Sequence, residues 1–150
     1  MKYRLSLFLL YFSAAMVFAR YSGPNLALHL DGKDNNVRTG IGIIKAPWTI
    51  EAWIKGNDTH WKKTEVIFGG GEYSNLNITD NLPLVIRNGR LGNAHANVWS
   101  KQVLDTQWHH AALSCDGAQT CLYLDGKMVD CKQSASSIIP GALGVQDNDS

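Results

Sequence analysis

The sequence carries almost no excess of charge. Lys and Arg number 14, Asp and Glu 13, so the formal net charge is +1 over 150 residues. A chain that neutralises phosphates needs a basic surplus, so nucleic acid and anionic membrane surfaces are excluded as partners on charge. Proline is scarce at 4 residues and charged residues make up only 18% of the chain, against 45% hydrophobic. That balance excludes a disordered chain or a coiled coil and leaves one globular domain. Long apolar runs are also missing, with one exception at the N-terminus. Leu5 to Ala19 is an uncharged run of 15 residues behind Lys2 and Arg4. It is shorter than the roughly 20 residues needed to span a bilayer. Val17 and Ala19 stand at the −3 and −1 positions before Arg20, the small-residue pattern a signal peptidase needs. Residues 1–19 therefore read as a signal peptide, and the remaining 131 of the 150 as an exported chain, secreted, extracellular or periplasmic.

Recognisable catalytic and phosphate-binding motifs are absent. No Gly-x-Ser-x-Gly elbow and no Cys-x-x-Cys pair occurs, and "GGGE" at 69–72 lacks the Lys-Ser/Thr of a phosphate loop. Sustained 3.6-residue periodicity behind a capping residue is missing after residue 20.

What is present is strand pattern. "NLALHL" sets Leu26, Leu28 and Leu30 against Ala27 and His29. "WTIEAWI" sets Trp48, Ile50, Ala52 and Ile54 against Thr49, Glu51 and Trp53, a period of two. "TEVIFGGGEY" is a short apolar run closed by glycines, and "LPLVIRNGRLG" carries Asn88-Gly89, a strong two-residue hairpin signal. Asp116-Gly117 and Asp125-Gly126 repeat that device. Short strands separated by glycine turns predict an all-β, antiparallel sandwich or barrel.

Four blocks then resemble one family: "LALHLDGKDNNV", "PWTIEAWIKG", "DTQWHHAALSCDG" and "CLYLDGKMV". In this order they are similar to the strands of laminin G-like jelly-roll domains in the concanavalin A-like lectin/glucanase superfamily. The resemblance implies a two-sheet jelly roll over residues 20–150 with one concave sheet. Relatives close with a Gly-x-Ile-Asp-Glu-Val-Arg-Ile-Trp strand, whereas this chain ends in the loop-like "GALGVQDNDS". The expectation is a domain incomplete at its C-terminus, the first part of a longer exported protein.

Glucanases of this superfamily carry carboxylates at alternate positions of one strand, so that one attacks while another protonates. Here only Asp147 and Asp149 lie two apart, both in the tail, and Glu51 has no acidic partner on its strand. The expected function is thus a secreted, non-catalytic carbohydrate-binding or adhesion module, its partner a glycan or an extracellular protein. The alternatives are an accessory domain of a secreted hydrolase (glycoside hydrolase or phosphoesterase), or a structural protein-interaction module.

The candidate carbohydrate-binding residues are Glu51, Trp53 and Tyr123, outward in their strands' alternation, with His95, Asn97 and Trp99 alternating against Ala94, Ala96 and Val98. Trp61 in the polar loop "NDTHWKK" joins them. Aromatic rings offer a sugar a stacking face, while amides and carboxylates take its hydroxyls. The competing reading buries Trp53 and Trp99 under loops. The 94–98 alternation also conflicts with an Ile86–Leu91 pairing across Asn88-Gly89 unless a bulge sits near Gly92. His109 and His110 point to opposite faces of a strand and cannot easily share an ion; both read as structural beside a packed Trp108. Asp31 and Asp34 in "DGKDNN" are the candidate ligands of a structural calcium, since hard oxygen donors cluster there around a glycine turn. Three cysteines leave one odd. Cys115–Cys121 and Cys121–Cys131 are both open; the second is preferred, although a two-residue turn at Asp125-Gly126 would set Cys121 opposite residue 130.

Overall fold

The computed structural model describes residues 27–30, 36–56, 64–70 and 82–144. Among these every regular element is a strand: β1 (Val37–Arg38), β2 (Trp48–Ile54), β3 (Thr64–Gly69), β4 (Leu84–Arg87), β5 (Arg90–Asn93), β6 (Val98–Trp99), β7 (His109–Cys115), β8 (Gln119–Leu124), β9 (Lys127–Gln133) and β10 (Ala142–Leu143). They form two antiparallel sheets, one ordered β1-β10-β3-β4-β5-β6 and the other β2-β7-β8-β9. No helix among the described residues is long and apolar enough to cross a membrane. The all-β sandwich expected from the alternation is what forms.

The alternation explains the layers. β2 pairs with β7 over its whole length, from Trp48↔Cys115 to Ile54↔His109. Trp48 and Ile50 from β2, Ala111, Leu113 and Cys115 from β7, and Leu122 and Leu124 from β8 then point inward together. They meet Leu84, Ile86, Leu91 and Val98 from the other sheet in one buried cluster. Fully burying a Leu or Ile contributes about 1.5–3 kcal/mol, so this cluster is what drives the sheets together. The indole N–H of Trp48 donates to the Ser136 carbonyl oxygen at 2.8 Å, satisfying the one polar atom of that side chain.

The turns follow their dipeptides at two of three sites. Asn88 (φ 52°) and Gly89 (φ 75°), and Asp125 (φ 52°) and Gly126 (φ 75°), both occupy left-handed pairs, as the two-residue hairpin requires. Asp116-Gly117 does not. There the connection runs from Asp116 to Ala118, and Asp116 Oδ1 accepts from the backbone N–H groups of Ala118 and Gln119 at 2.8 and 2.9 Å. The Asp side chain, rather than a left-handed pair, closes that turn.

Four expectations are corrected. Residues 27–30 are irregular rather than a strand, with Leu28 exposed. Residues 94–97 form a turn between β5 and β6, with Asn97 at φ 54°. That turn, not a bulge at Gly92, removes the conflict with the observed Ile86↔Leu91 pairing. Trp108 is half exposed rather than packed. The tail read as loop-like contributes β10, which hydrogen-bonds between β1 and β3.

The disulfide joins Cys121 to Cys131, leaving Cys115 as a buried thiol. The two-residue turn is kept, with Leu124 opposite Lys127, and a register shift at Leu122/Tyr123 absorbs one extra residue in β9. Cys121 therefore faces Cys131, across a register that a regular hairpin would not give.

Candidate functional site

The outward side of the β2-β7-β8-β9 sheet is a grid of three rows. The first row runs Thr49, Ser114, Cys121, Cys131; the second Glu51, Ala112, Tyr123, Met128. The third pairs Trp53 with His110, next to the turn residue Asp125. Trp53 is 67% exposed, although it lies within a strand rather than in a loop. Its ring is tilted against the His110 imidazole with centroids 5.2 Å apart. His110 Nε2 in turn lies 3.5 Å from a Glu51 carboxylate oxygen. An exposed indole, an imidazole, a carboxylate and a phenol thus share one rigid surface.

Behind that surface, His109 points inward and is held at both ring nitrogens. Nδ1 lies 2.9 Å from Asp125 Oδ2 and Nε2 lies 3.1 Å from Asp105 Oδ1. The backbone N–H of His110 donates to the other Asp125 oxygen at 2.9 Å. Burial disfavours the imidazolium, but the hydrogen bonds to Asp125 and Asp105 outweigh it and raise the His109 pKa above 6.5. The hydrogen bond from His109 holds Asp125 below its ordinary value, and Asp105 is held down first by the Gln107 N–H and then by His109. The two histidines face opposite sides of β7, as the alternation requires.

His95, Asn97 and Trp99 do not join this surface. They lie on the other sheet, His95 and Asn97 in the 94–97 turn and Trp99 on β6. Trp99 lies against Gly92, where an added Cβ would overlap its ring. Its indole N–H donates to Asn97 Oδ1 at 3.2 Å, and the Arg87 guanidinium carbon sits 5.6 Å from the ring centroid. The single row of candidates expected from the sequence is therefore two separate groups. Alternation through residues 94–98 would have set His95, Asn97 and Trp99 on one side of a single strand; a chain reversal breaks that row, and β6 belongs to the other sheet from Trp53.

Trp61, Asp31 and Asp34 lie outside the described residues. Among the described residues no group of three or more His, Cys, Asp or Glu side chains is placed to hold a metal ion. Sequence reasoning assigned His110 a purely structural role and did not single out Met128. The register that sets His110 opposite Trp53, and Met128 opposite Tyr123, is the signal that finds them.

One family model matches the chain, over residues 20–145; it is of laminin G type and described as the concanavalin A-like lectin/glucanases superfamily. No curated protein and no solved structure matches.

Proposed function

The chain belongs to the concanavalin A-like lectin/glucanase superfamily, and from that premise we propose that it is a non-catalytic carbohydrate-binding module whose binding surface is the outward face of the β2-β7-β8-β9 sheet. Family membership supports a carbohydrate-binding or adhesion-type module in general. The observation that carries the specific reading is Trp53, a two-thirds exposed indole on a strand, braced by His110 and flanked by Glu51. A sugar presents an apolar CH face to such a ring and hydroxyls to the adjacent carboxylate and imidazole. Because the side chains are fixed by a sheet, little ordering cost falls on binding.

The module acts outside the cell, on a glycan or on an extracellular glycoprotein. Glu51 serves as a hydrogen-bond acceptor and not as half of a catalytic pair: no second carboxylate shares β2 with it.

A glycan array with the intact chain, Trp53→Ala and Trp99→Ala tests this. Binding lost in Trp53→Ala and kept in Trp99→Ala is expected. Binding that survives Trp53→Ala unchanged overturns the assignment of the face. A structural calcium near Asp31 and Asp34 belongs to the same proposal, and EDTA would then lower the melting temperature in a way that added calcium restores.

A further inference from the structure

β9 holds a register that its own side-chain pattern opposes. Its sequence is Lys-Met-Val-Asp-Cys-Lys-Gln over Lys127–Gln133. Lys127 and Met128 face Leu124 and Tyr123, as a two-residue turn requires, but beyond them Asp130 faces Leu122 and Cys131 faces Cys121. Val129 is the extra residue, only partly packed against the core. Leu122 is a core residue, so the observed register sets a carboxylate on the inward side of β9. A regular hairpin would instead set Val129 opposite Leu122, Asp130 opposite Cys121 and Cys131 opposite Thr120. That step turns Val129 inward and Asp130 and Lys132 outward, the alternation a half-buried strand favours.

Two links hold the observed register. One is the Cys121–Cys131 disulfide. The other is the Asp130 carboxylate, which accepts from the Trp99 N–H on the opposite sheet at 3.1 Å and from the Cys131 N–H at 2.9 Å. The chain beyond β9 leaves room for a step of about 3.4 Å. Residues 134–137, Ser-Ala-Ser-Ser, are irregular up to the Ile44–Ile138 bridge. The Ser134 carbonyl accepts from Thr120 Oγ1 at 2.8 Å, and after the step the Gln133 carbonyl takes that place.

We infer that β9 is a two-register strand switched by the redox state of Cys121 and Cys131. Oxidised, it is bulged at Val129 and Asp130 clasps Trp99; reduced, it takes the regular register, Val129 turns inward and the clasp between the sheets opens. The reductant is a dithiol, of the class that thiol–disulfide oxidoreductases carry. β9 ends its sheet order and Cys131 is partly exposed, whereas Cys121 is nearly buried, so a thiolate attacks Cys131 Sγ. A mixed disulfide forms there, and Cys121 leaves as a thiolate and takes a proton. The second reductant thiol then releases Cys131. Two electrons and two protons have passed to the cysteines, and the reductant departs as its disulfide. The step carries Cys131 to the side opposite Cys121, so the register must return before the bond re-forms.

The test is nuclear magnetic resonance of the intact chain, oxidised and after reduction by dithiothreitol. Oxidised, cross-strand backbone contacts are expected to join Leu122 to Asp130 and Thr120 to Lys132. Reduced, they are expected to join Leu122 to Val129 and Thr120 to Cys131, while Tyr123 stays opposite Met128. The Trp99 amide, having lost its acceptor, should then exchange about tenfold faster or more. Deletion of Val129 removes the extra residue, so a regular hairpin already sets Cys121 opposite Cys131. Reduction of that variant should leave both register and Trp99 exchange unchanged. Should it fail to fold, Val129→Asp replaces it, because a carboxylate opposite Leu122 opposes the step. A reduced native chain that keeps the Leu122–Asp130 contacts overturns the switch, as does one that unfolds throughout. A shift of equal size in the reduced variant overturns the role given to Val129.

Discussion

Asp125 Oδ2 lies 2.9 Å from Nδ1 of His109, and through this pair the β8–β9 turn is fastened to the start of β7. The other oxygen of the same carboxylate takes the His110 N–H at 2.9 Å. One turn residue thus fixes both the inward histidine and the backbone that presents the outward one beside Trp53. Asp105, in the segment before β7, closes the second side of the His109 ring at 3.1 Å.

This arrangement makes stability depend on pH in both directions. His109 has a raised folded pKa, so its contribution is complete below the unfolded value of about 6.5 and is lost as pH rises through the folded value. Asp105 and Asp125 have lowered folded pKa values, so their contributions hold above about 3.8 and fade as pH falls through the folded values. The melting temperature is expected to peak in the mildly acidic window between these limits. His109→Gln should flatten the alkaline side of that profile, measured by differential scanning fluorimetry from pH 4 to 9. An unaltered profile in the variant would show that the His109–Asp125 contact contributes nothing.

Gly92 is required by its neighbour across the strand pair. An added Cβ would overlap the Trp99 ring and lie against the Val98 carbonyl oxygen at 2.6 Å. Gly92→Ala should cost about 1–3 kcal/mol through forced displacement of packed groups. The emission of Trp99 should also shift, read against a Trp99→Phe control. Equal denaturation midpoints for Gly92→Ala and the native chain would contradict the close approach.

Asp130 ties the two sheets together at one edge. Its Oδ2 accepts from the Trp99 backbone N–H at 3.1 Å and its Oδ1 from the Cys131 N–H at 2.9 Å. Burial would raise its pKa, but these donors hold it below the ordinary value. Asp130→Ala should destabilise by about 1.5–3 kcal/mol, the range for hydrogen bonds to a charged group. Amide exchange should rise first at Trp99. Exchange spread evenly over all strands would argue for a different linkage.

The disulfide closes a loop with a sequence separation of 10. Replacing Cys121 and Cys131 together by Ser should lower stability by about 2–3 kcal/mol. Cys115, the last residue of β7, is buried in the core and should resist alkylation in the native state, then react once denaturant is added. Rapid native labelling at Cys115 would show that this end of the core opens readily.

Much of this was legible in order of sequence separation. Period-two alternation over 48–54 assigned Trp48 and Ile50 inward and Glu51 and Trp53 outward, because one residue's step along a strand reverses its face. The Asn88-Gly89 and Asp125-Gly126 turns were legible because left-handed pairs tolerate few other dipeptides. The candidate site was only partly readable. Glu51, Trp53 and Tyr123 do share a face, whereas the row of His95, Asn97 and Trp99 is interrupted by a turn and lies on the other sheet, a placement that alternation within one strand does not encode. The local signal for that turn is confined to two asparagines: Asn93 Oδ1 accepts from the Ala96 N–H and Asn97 takes φ 54°, while Ala94-His95-Ala96 between them suits a strand as well.

By itself, then, the amino-acid sequence determined the strand class and the inward and outward faces of β2, which rest on neighbours a few residues apart, and the family resemblance, which rests on the order of four short blocks. Only the tertiary structure decided register and partners. It set His110 beside Trp53, slid β9 by one residue so that Cys121 meets Cys131, closed Asp105 and Asp125 around His109, and inserted Ala142–Leu143 between β1 and β3. Those choices depend on packing two sheets at once, and a pattern that repeats every second residue is compatible with many registers until the core selects one.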